Sequence, residues 1–231
     1  MRILAIESAT ERPGVALIDA GVCVAERAAG RDGTRSETLL PAIDALLAAA
    51  GLSATDLDAF AIGIGPGSFT GLRVGLATLK GLAFGLDRPA VAVPTLEALA
   101  STAGDPRPGP VAAVLDARRG EYYGAVYPAG AGSEPALPEG LYRPDALAAA
   151  LPAGCLLVGD VAGPGSDALA PLIAAGARVH AGGGPCAGRV GVLGARRLAA
   201  GEGGLAAELV PRYVRRAEAE VLRLGRATEG P

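Results

Sequence analysis

The sequence predicts an α/β protein built from two related lobes of a ribonuclease-H-like type. Two stretches of the chain begin with strand-like segments and continue with alternating helices and strands, one starting at Arg2 and the other at Val111. The segment GDPRPGP at 104–110 lies between them and has the composition of a linker. We therefore expect an N-terminal lobe at residues 1–104 and a C-terminal lobe at residues 105–231.

The first stretch reads as three strands followed by helices and strands in alternation. Its apolar runs are separated by turn-forming residues and predict an antiparallel meander, with strands at Arg2 to Ile6, Gly14 to Ile18 and Val22 to Glu26. Leucine and isoleucine then recur at helical spacing between Ser36 and Gly51. A strand, a glycine-rich loop, a helix, a short strand and a helix are predicted next, at Leu57 to Ile64, 65–71, Leu72 to Leu86, Val91 to Val93 and from Thr95.

The second stretch repeats this order more loosely. Strands are predicted at Val111 to Asp116 and Glu121 to Tyr127, and AGAGSEPALPEG at 129–140 reads as a loop. The remaining predictions are a helix near Pro144 to Leu151, a strand at Cys155 to Gly159, and helices near Ser166 and Gly188.

Composition excludes several classes of protein. Half of the residues are hydrophobic and 19% are charged, which is typical of a folded domain. The formal net charge of -3 gives the whole chain no attraction for nucleic acid. The three cysteines lack the spacing of a disulfide framework or a zinc site, and no apolar run reaches the length that crosses a membrane. We therefore expect a protein of the reducing cytoplasm that does not enter membranes.

The densest signal is the glycine-rich loop between the fourth strand and the second helix. Backbone N–H groups in such a loop point toward the helix N-terminus, where an anion can bind. The loop matches neither a Walker A motif nor G-x-G-x-x-G, so two readings stay open. It is either an anion or nucleotide site that uses Gly65, Gly67, Ser68 and Thr70, or a tight turn in which Ser68 or Thr70 caps the helix.

The helix after this loop contains glycines in two pairs spaced four apart, Gly71 with Gly75 and Gly81 with Gly85. Each glycine costs about 1 kcal/mol relative to alanine inside a helix. The helix is also apolar nearly all round. We therefore expect close packing against this helix, either inside the chain or against another subunit.

Candidate catalytic residues are few. His180 is the only histidine, which excludes a metal site that uses two histidines. Glu7 and Asp116 end predicted strands, where acidic residues face the ligand crevice of α/β folds. The alternative is that both carboxylates bond to loop backbone.

The end of the chain is rich in arginine. Five arginines and two glutamates lie between Leu209 and Arg226. This tail either contacts RNA or is a solvated end, and we favour the second interpretation.

Six segments follow one another in order along almost the whole chain: ILAIESAT, SETLLPAID, GIGPGSFTGLRVGLATLKGLA, VPTLEALA, DARRGEYYGAVY and PRYVR. Together they resemble the TsaB (YeaZ) family, and the core GPGSFTGLR within the third segment is the most specific part. Two positions depart from the family pattern: Glu7 stands where the family often has aspartate, and Arg35 where many members have histidine.

This resemblance implies a two-lobed actin, sugar-kinase and Hsp70-like fold whose first lobe mediates dimerisation. It implies a non-catalytic scaffold in the synthesis of threonylcarbamoyladenosine beside the anticodon of tRNAs that read ANN codons. The expected partners are a catalytic TsaD-like paralogue, a TsaE-like ATPase, tRNA through the complex, and a second copy when the chain is alone. The chain needs no cofactor of its own, because ATP or ADP and the metal belong to the partner or the complex interface.

By resemblance, the pairing surface lies on the first two helices of the first lobe. The expected interface residues are Leu39, Leu40, Ile43, Leu47, Leu72, Gly75, Leu76 and Leu79.

Two other functions stay open. A small ATP-dependent kinase or transferase of the same fold would use Gly67, Ser68 and the loop from Gly163 to Gly165 for phosphates, and Glu7 or Asp116 for magnesium. A stand-alone RNA-binding protein would use the arginine tail.

Overall fold

A computed structural model describes residues 1–30, 35–132, 134–159, 170–180 and 186–215. Within these ranges the chain forms ten strands and six α-helices. The strands are β1 (Arg2–Glu7), β2 (Gly14–Asp19), β3 (Val22–Ala28), β4 (Ala59–Gly63), β5 (Ala90–Val93), β6 (Val111–Asp116), β7 (Tyr122–Tyr127), β8 (Leu137–Tyr142), β9 (Leu156–Val158) and β10 (Arg178–Val179). The helices are α1 (Arg35–Ala49), α2 (Phe69–Leu86), α3 (Thr95–Ala100), α4 (Pro144–Ala150), α5 (Ala170–Ala174) and α6 (Ala187–Ala199).

The strands form two five-stranded sheets with the same topology. The first sheet has the order β3-β2-β1-β4-β5, and the second has the equivalent order β8-β7-β6-β9-β10. In each sheet the first three strands of the chain pair antiparallel, and the last two run parallel to the first. The predicted duplication of a β-rich beginning followed by αβ alternation is therefore confirmed, although the two halves share no evident sequence repeat.

Helices cover the sheets in layers. Alternate residues of β1 face opposite sides of the first sheet, as the period of a strand requires. Leu4 and Ile6 pack with α1 and α2 on one side. Ile3 and Ala5 pack on the other side with α3 and α6, and α3 also contacts β6. The far side of the second sheet is covered by α4 and α5.

Helix α6 follows the second sheet in the chain but packs on the first. It contacts β1, β2, β3, β4 and β5. Gly191 allows this close approach, because a side-chain carbon there would lie 2.9 Å from Cβ of Ala5. The division into two lobes at residue 104 stays a prediction. Helix α6 lies in the second half of the chain but packs on the sheet of the first half.

One feature of the second half differs from the sequence-based expectation. Residues 137–140 were expected in a loop, but they begin β8, which pairs with β7. The sequence did not indicate this strand, because Pro138 and Gly140 both disfavour the interior of a sheet. They are tolerated here because β8 is an edge strand. The helix expected near Ser166 lies outside the described residues. No helix in the described ranges is both long and apolar enough to cross a bilayer.

Candidate functional site

Glu7 ends strand β1 with a fully buried side chain. Its Oε1 accepts a hydrogen bond from the backbone N–H of Ala9 at 2.5 Å, and its Oε2 accepts one from the hydroxyl of Thr95 at 3.3 Å. Gly63 on β4 leaves room for this carboxylate, because a side-chain carbon there would overlap Oε2. The carboxylate therefore joins the end of β1 to the start of α3.

The glycine-rich loop after β4 is fastened to the same place. The backbone N–H of Gly65 donates to the hydroxyl of Thr95 at 3.1 Å, and the N–H of Thr95 donates back to the carbonyl of Gly65 at 2.9 Å. The N–H of Ser68 donates to the carbonyl of Ala9 at 2.7 Å. The hydroxyl of Ser68 accepts from the N–H of Gly71 at 3.2 Å and caps helix α2.

The four residues expected to bind an anion therefore lie in different environments. Gly65 and Ser68 use their backbone N–H groups for bonds within the protein. Gly67 packs so closely on Ala9 that a side-chain carbon would lie 3.0 Å from its carbonyl carbon. Thr70 is exposed on the first turn of α2. This geometry favours the reading in which Ser68 caps a structural turn, and anion binding stays a prediction.

Asp116, at the end of β6, lies in a different environment from Glu7. Its carboxylate is exposed and accepts a hydrogen bond from the backbone N–H of Arg118 at 2.7 Å. The guanidinium of Arg118 lies 3.6 Å from Asp116 and 3.0 Å from Glu11 in the loop between β1 and β2. The loops after the first strands of the two lobes are thus bridged by one exposed arginine. Exposed pairs of this kind contribute about 0–1 kcal/mol.

A shared magnesium site at the two strand ends would need both carboxylates to be accessible. Glu7 is buried among backbone and hydroxyl donors, whereas Asp116 is exposed beside Arg118. Within the described ranges, no three His, Cys, Asp or Glu side chains are grouped as metal ligands. Each carboxylate instead accepts a hydrogen bond from a backbone N–H of the loop that follows its strand, which is the alternative interpretation of these acids.

The eight residues expected on the pairing surface lie mostly inside the first lobe. Leu40 alone among them is exposed, at 46% of its surface, and the other seven are buried. Gly75 faces β1, because a side-chain carbon there would overlap the hydroxyl of Ser8 and lie 3.1 Å from its Cβ. That hydroxyl also donates to the carbonyl of Gly71 at 2.8 Å. The first glycine pair therefore lets α2 pack on its own sheet.

The opposite face of α2 is open. Positions 73, 77, 81 and 84 follow each other at helical spacing and are exposed. Phe84 exposes 91% of its surface. Side-chain carbons at Gly81 and Gly85 would meet nothing within 4 Å. On α1, the exposed stripe contains Leu40, Pro41, Asp44 and Ala48.

The arginine-rich end is part of the fold as far as residue 215, contrary to the expectation of a solvated tail. Arg212 pairs with Glu139 at 2.9 Å, and Arg215 pairs with Glu121. The other three arginines of this segment lie outside the described residues. Sequence reasoning missed these pairs because the partners are more than 70 positions away in the chain and no periodicity links them.

The family model for tRNA N6-adenosine threonylcarbamoyltransferase, TsaD, matches residues 33–164, which is more than half of the chain. A curated relative from Escherichia coli strain K12, the tRNA threonylcarbamoyladenosine biosynthesis protein TsaB, is 43% identical over 132 residues. That alignment covers 55% of this chain and 55% of the relative, so the chain spans about half the length of the curated relatives it matches.

Solved structures extend the likeness over the whole fold. YeaZ from Pseudomonas aeruginosa is 31% identical and superposes with a TM-score of 0.74, covering 92% of this chain and 99% of the other. A ROK-family protein from Streptococcus pneumoniae has a TM-score of 0.50 at 11% identity, covering 87% of this chain and all of the other, and shows the fold alone. The two sheets and these likenesses confirm the two-lobed, actin-like fold. The chain therefore belongs to the TsaB (YeaZ) family, within the wider group that the TsaD family model describes.

Proposed function

We propose that this chain is a non-catalytic scaffold subunit in the synthesis of tRNA threonylcarbamoyladenosine, and that it pairs with a catalytic, TsaD-like paralogue. The role in threonylcarbamoyladenosine synthesis is supported by the relative from Escherichia coli, which is a tRNA threonylcarbamoyladenosine biosynthesis protein. The match to the TsaD family model supports a partner with a related fold. The observation that carries the proposal is the open face of α2, where Phe84 is 91% exposed on a helix whose other face is tightly packed.

The proposed pairing surface consists of the exposed stripes of α1 and α2. These two helices contact each other side by side on the first sheet. Phe84 supplies a large apolar anchor, and the bare backbone at Gly81 and Gly85 lets another helix approach closely. Leu40 and Pro41 extend the apolar area on α1. An apolar patch of this kind is typical of a protein interface.

A non-catalytic role is supported by what Glu7 does. Its carboxylate receives a backbone N–H and a threonine hydroxyl in a fully buried place, where it serves the loop rather than a substrate. In this proposal the chain holds the catalytic paralogue in a productive arrangement. ATP or ADP, the metal and the tRNA that reads ANN codons are bound by the paralogue or the complex, and a TsaE-like ATPase supports turnover.

The test is association. The purified chain, the TsaD-like paralogue from the same genome and an equimolar mixture are compared by size-exclusion chromatography with light scattering. We expect the chain alone to have twice the mass of one copy, and the mixture to give one peak with the mass of a heterodimer. Separate peaks in the mixture, at concentrations of tens of micromolar, would contradict the proposed pairing.

The kinase alternative makes a different prediction about the isolated chain. A kinase of this fold binds ATP between its lobes before any partner is added. Calorimetric titration of the pure chain with ATP and magnesium therefore separates the two functions. We expect no binding, and a tight, stoichiometric signal would favour the kinase.

A further inference from the structure

Residues 209–215, called the strap below, lie across both lobes. On the first lobe, the backbone N–H of Arg212 donates to the carbonyl of Ile64 at 2.7 Å. The ring of Tyr213 lies 5.1 Å from the ring of Phe69, in the first turn of α2. Cζ of Arg73 lies 3.9 Å from the ring centroid of Phe69, and Nε of Arg73 donates a hydrogen bond to the hydroxyl of Tyr213 at 3.2 Å. The strap is thus attached to the start of α2 and the end of β4.

The same seven residues also hold the second lobe. Arg215 donates to the carbonyl of Ala117 at 2.6 Å and pairs with Glu121, both in the turn between β6 and β7. The guanidinium of Arg212 reaches Glu139 on β8. Contacts to both lobes from one short segment make the strap a structural link that is separate from the exposed bridge at Arg118.

The pair of Arg212 and Glu139 is unusual among the contacts of the strap. The side chain of Glu139 is 5% exposed, whereas that of Arg212 is 52% exposed. Nε of Arg212 lies 2.9 Å from Oε1 of Glu139, yet this buried oxygen accepts no hydrogen bond within the described part of the chain. Its interaction with the arginine is therefore one of charge without hydrogen-bond alignment. A buried carboxylate satisfied only in part is costly to keep ionised.

Charged and titratable groups face Glu139 from three elements. Arg212 comes from the strap, Glu97 from α3 and Tyr127 from β7, and Arg107 lies near both Glu97 and Tyr127. Burial raises the pKa of Glu139 to about 7, the positive charge of Arg212 lowers it, and the negative charge of Glu97 raises it. The environment as a whole therefore disfavours the carboxylate.

We propose that residues 209–215 form a releasable strap between the two lobes, and that the buried pair of Glu139 and Arg212 is its release point. Release exposes Glu139 to water, where a carboxylate is well solvated. The docked strap thus favours the protonated carboxyl, and the released strap favours the ionised one. This proposal concerns the chain by itself and does not depend on the proposed function.

The direction of the effect follows from this linkage. In this proposal the docked strap supplies the burial that raises the pKa of Glu139 from 4.5 to about 7 against the opposing charge of Arg212, so docking is tightest below about pH 4.5. It weakens as the pH rises through about 7, where the docked carboxyl loses its proton. A small change in pH near neutrality would then change how firmly the lobes are joined.

The chain contains no tryptophan, so Tyr213→Trp gives a single fluorescent reporter in the strap. Acrylamide quenching of this residue is measured from about pH 5.5 to about pH 8.5. We expect the quenching constant to rise several-fold over this range with a midpoint near neutrality. With Glu139→Gln added, the constant should stay low throughout. With Arg212→Met instead, it should be highest at alkaline pH, because the ionised carboxylate then has no positive neighbour on the strap.

The matched control is Arg118→Ala, which removes the exposed bridge between the lobes, because the guanidinium of Arg118 pairs with Glu11 and Asp116. This variant should keep the pH profile of the reporter protein. Circular dichroism and melting at each pH confirm that all variants are folded. A quenching constant that does not change with pH, or that rises equally with Glu139→Gln, overturns the proposal.

A second measurement needs no reporter. Trypsin cleavage after Arg212 is followed by mass spectrometry for the natural chain and for Glu139→Gln. At each pH the cleavage rate of the natural chain is divided by that of the variant, so that the pH dependence of trypsin itself cancels. We expect a ratio near one in acid that rises several-fold in alkali. A constant ratio would contradict the release point even if the fluorescent variant failed to fold.

Discussion

The two glycine pairs of α2 have the same spacing but opposite surroundings. Gly71 and Gly75 are both buried, and Ser8 beside the end of β1 occupies the space that a side chain at Gly75 would need and donates a hydrogen bond to the carbonyl of Gly71. Gly81 and Gly85, further along the helix, are exposed and have open space around them. The first pair is explained by packing within the lobe. The second pair lowers helix stability, and no residue in the described ranges packs on it in compensation, which favours a contact with another subunit.

The largest expected effect comes from placing a charge on the packed face. Gly75→Arg and Leu76→Arg would force a guanidinium into the space between α2 and β1, at a cost of several kcal/mol. We expect the first lobe to unfold, with loss of the cooperative thermal transition by circular dichroism. A folded Gly75→Arg chain with an unchanged melting temperature would show that this face of α2 does not pack inside the lobe.

A charge on the open face should act on association and leave the fold intact. Phe84→Asp removes the exposed anchor and should lower the affinity of the homodimer and of the heterodimer by at least about 2 kcal/mol, the size of a hot-spot loss. Light scattering and sedimentation measure the change. Val22→Asp is the matched control, because Val22 is also a largely exposed apolar residue, at 63%, but lies on edge strand β3. Equal weakening by both variants would remove Phe84 from its proposed role.

A single methyl group tests the packed pair more gently. Gly75→Ala places a carbon over the Ser8 hydroxyl, which is already bonded to the carbonyl of Gly71. We expect a loss of about 1–3 kcal/mol in the free energy of unfolding, as for other overpacked sites. Urea denaturation measures it, and a neutral or stabilising result would mean that Ser8 moves aside freely.

The same substitution in the open pair should have the opposite sign. Gly81→Ala adds a good helix former where nothing lies within 4 Å, so the isolated chain should gain up to about 1 kcal/mol. The measurement is made in the Phe84→Asp background, so that association does not contribute. Destabilisation there would mean that Gly81 is already packed within one chain.

Glycine spacing alone could not have separated these two cases. The sequence located α2, narrowed its capping residue to Ser68 or Thr70, and predicted the order of strands and helices along the first lobe, because hydrophobic period and turn residues are local signals. Which face of α2 meets β1 depends on Ser8, whose position opposite Gly75 arises only when the sheet forms. The interface residues expected by resemblance, apart from Leu40, fill the lobe's own core, and an interface on α1 and α2 stays a prediction.

The site around Glu7 was predicted in part for the same reason. A strand-end acid is visible in the sequence, but its partner Thr95 is 88 residues away, and the contact exists only after β4 and α3 are placed. The strap was missed altogether, since arginines near a chain end usually indicate a solvated segment. Its partners Glu121 and Glu139 lie in the second lobe, and long-range ion pairs leave no pattern in a single sequence.

The central claim, that the chain supports catalysis by a partner and performs none itself, is tested most directly by reconstitution. Threonylcarbamoyl-AMP and tRNA are incubated with the chain alone, with the TsaD-like paralogue alone, and with both plus the TsaE-like ATPase and ATP, and the modified nucleoside is quantified by mass spectrometry. We expect product only from the complete mixture, a strong loss with Phe84→Asp, and full activity with Val22→Asp. Modified tRNA formed by the purified chain alone would contradict the account.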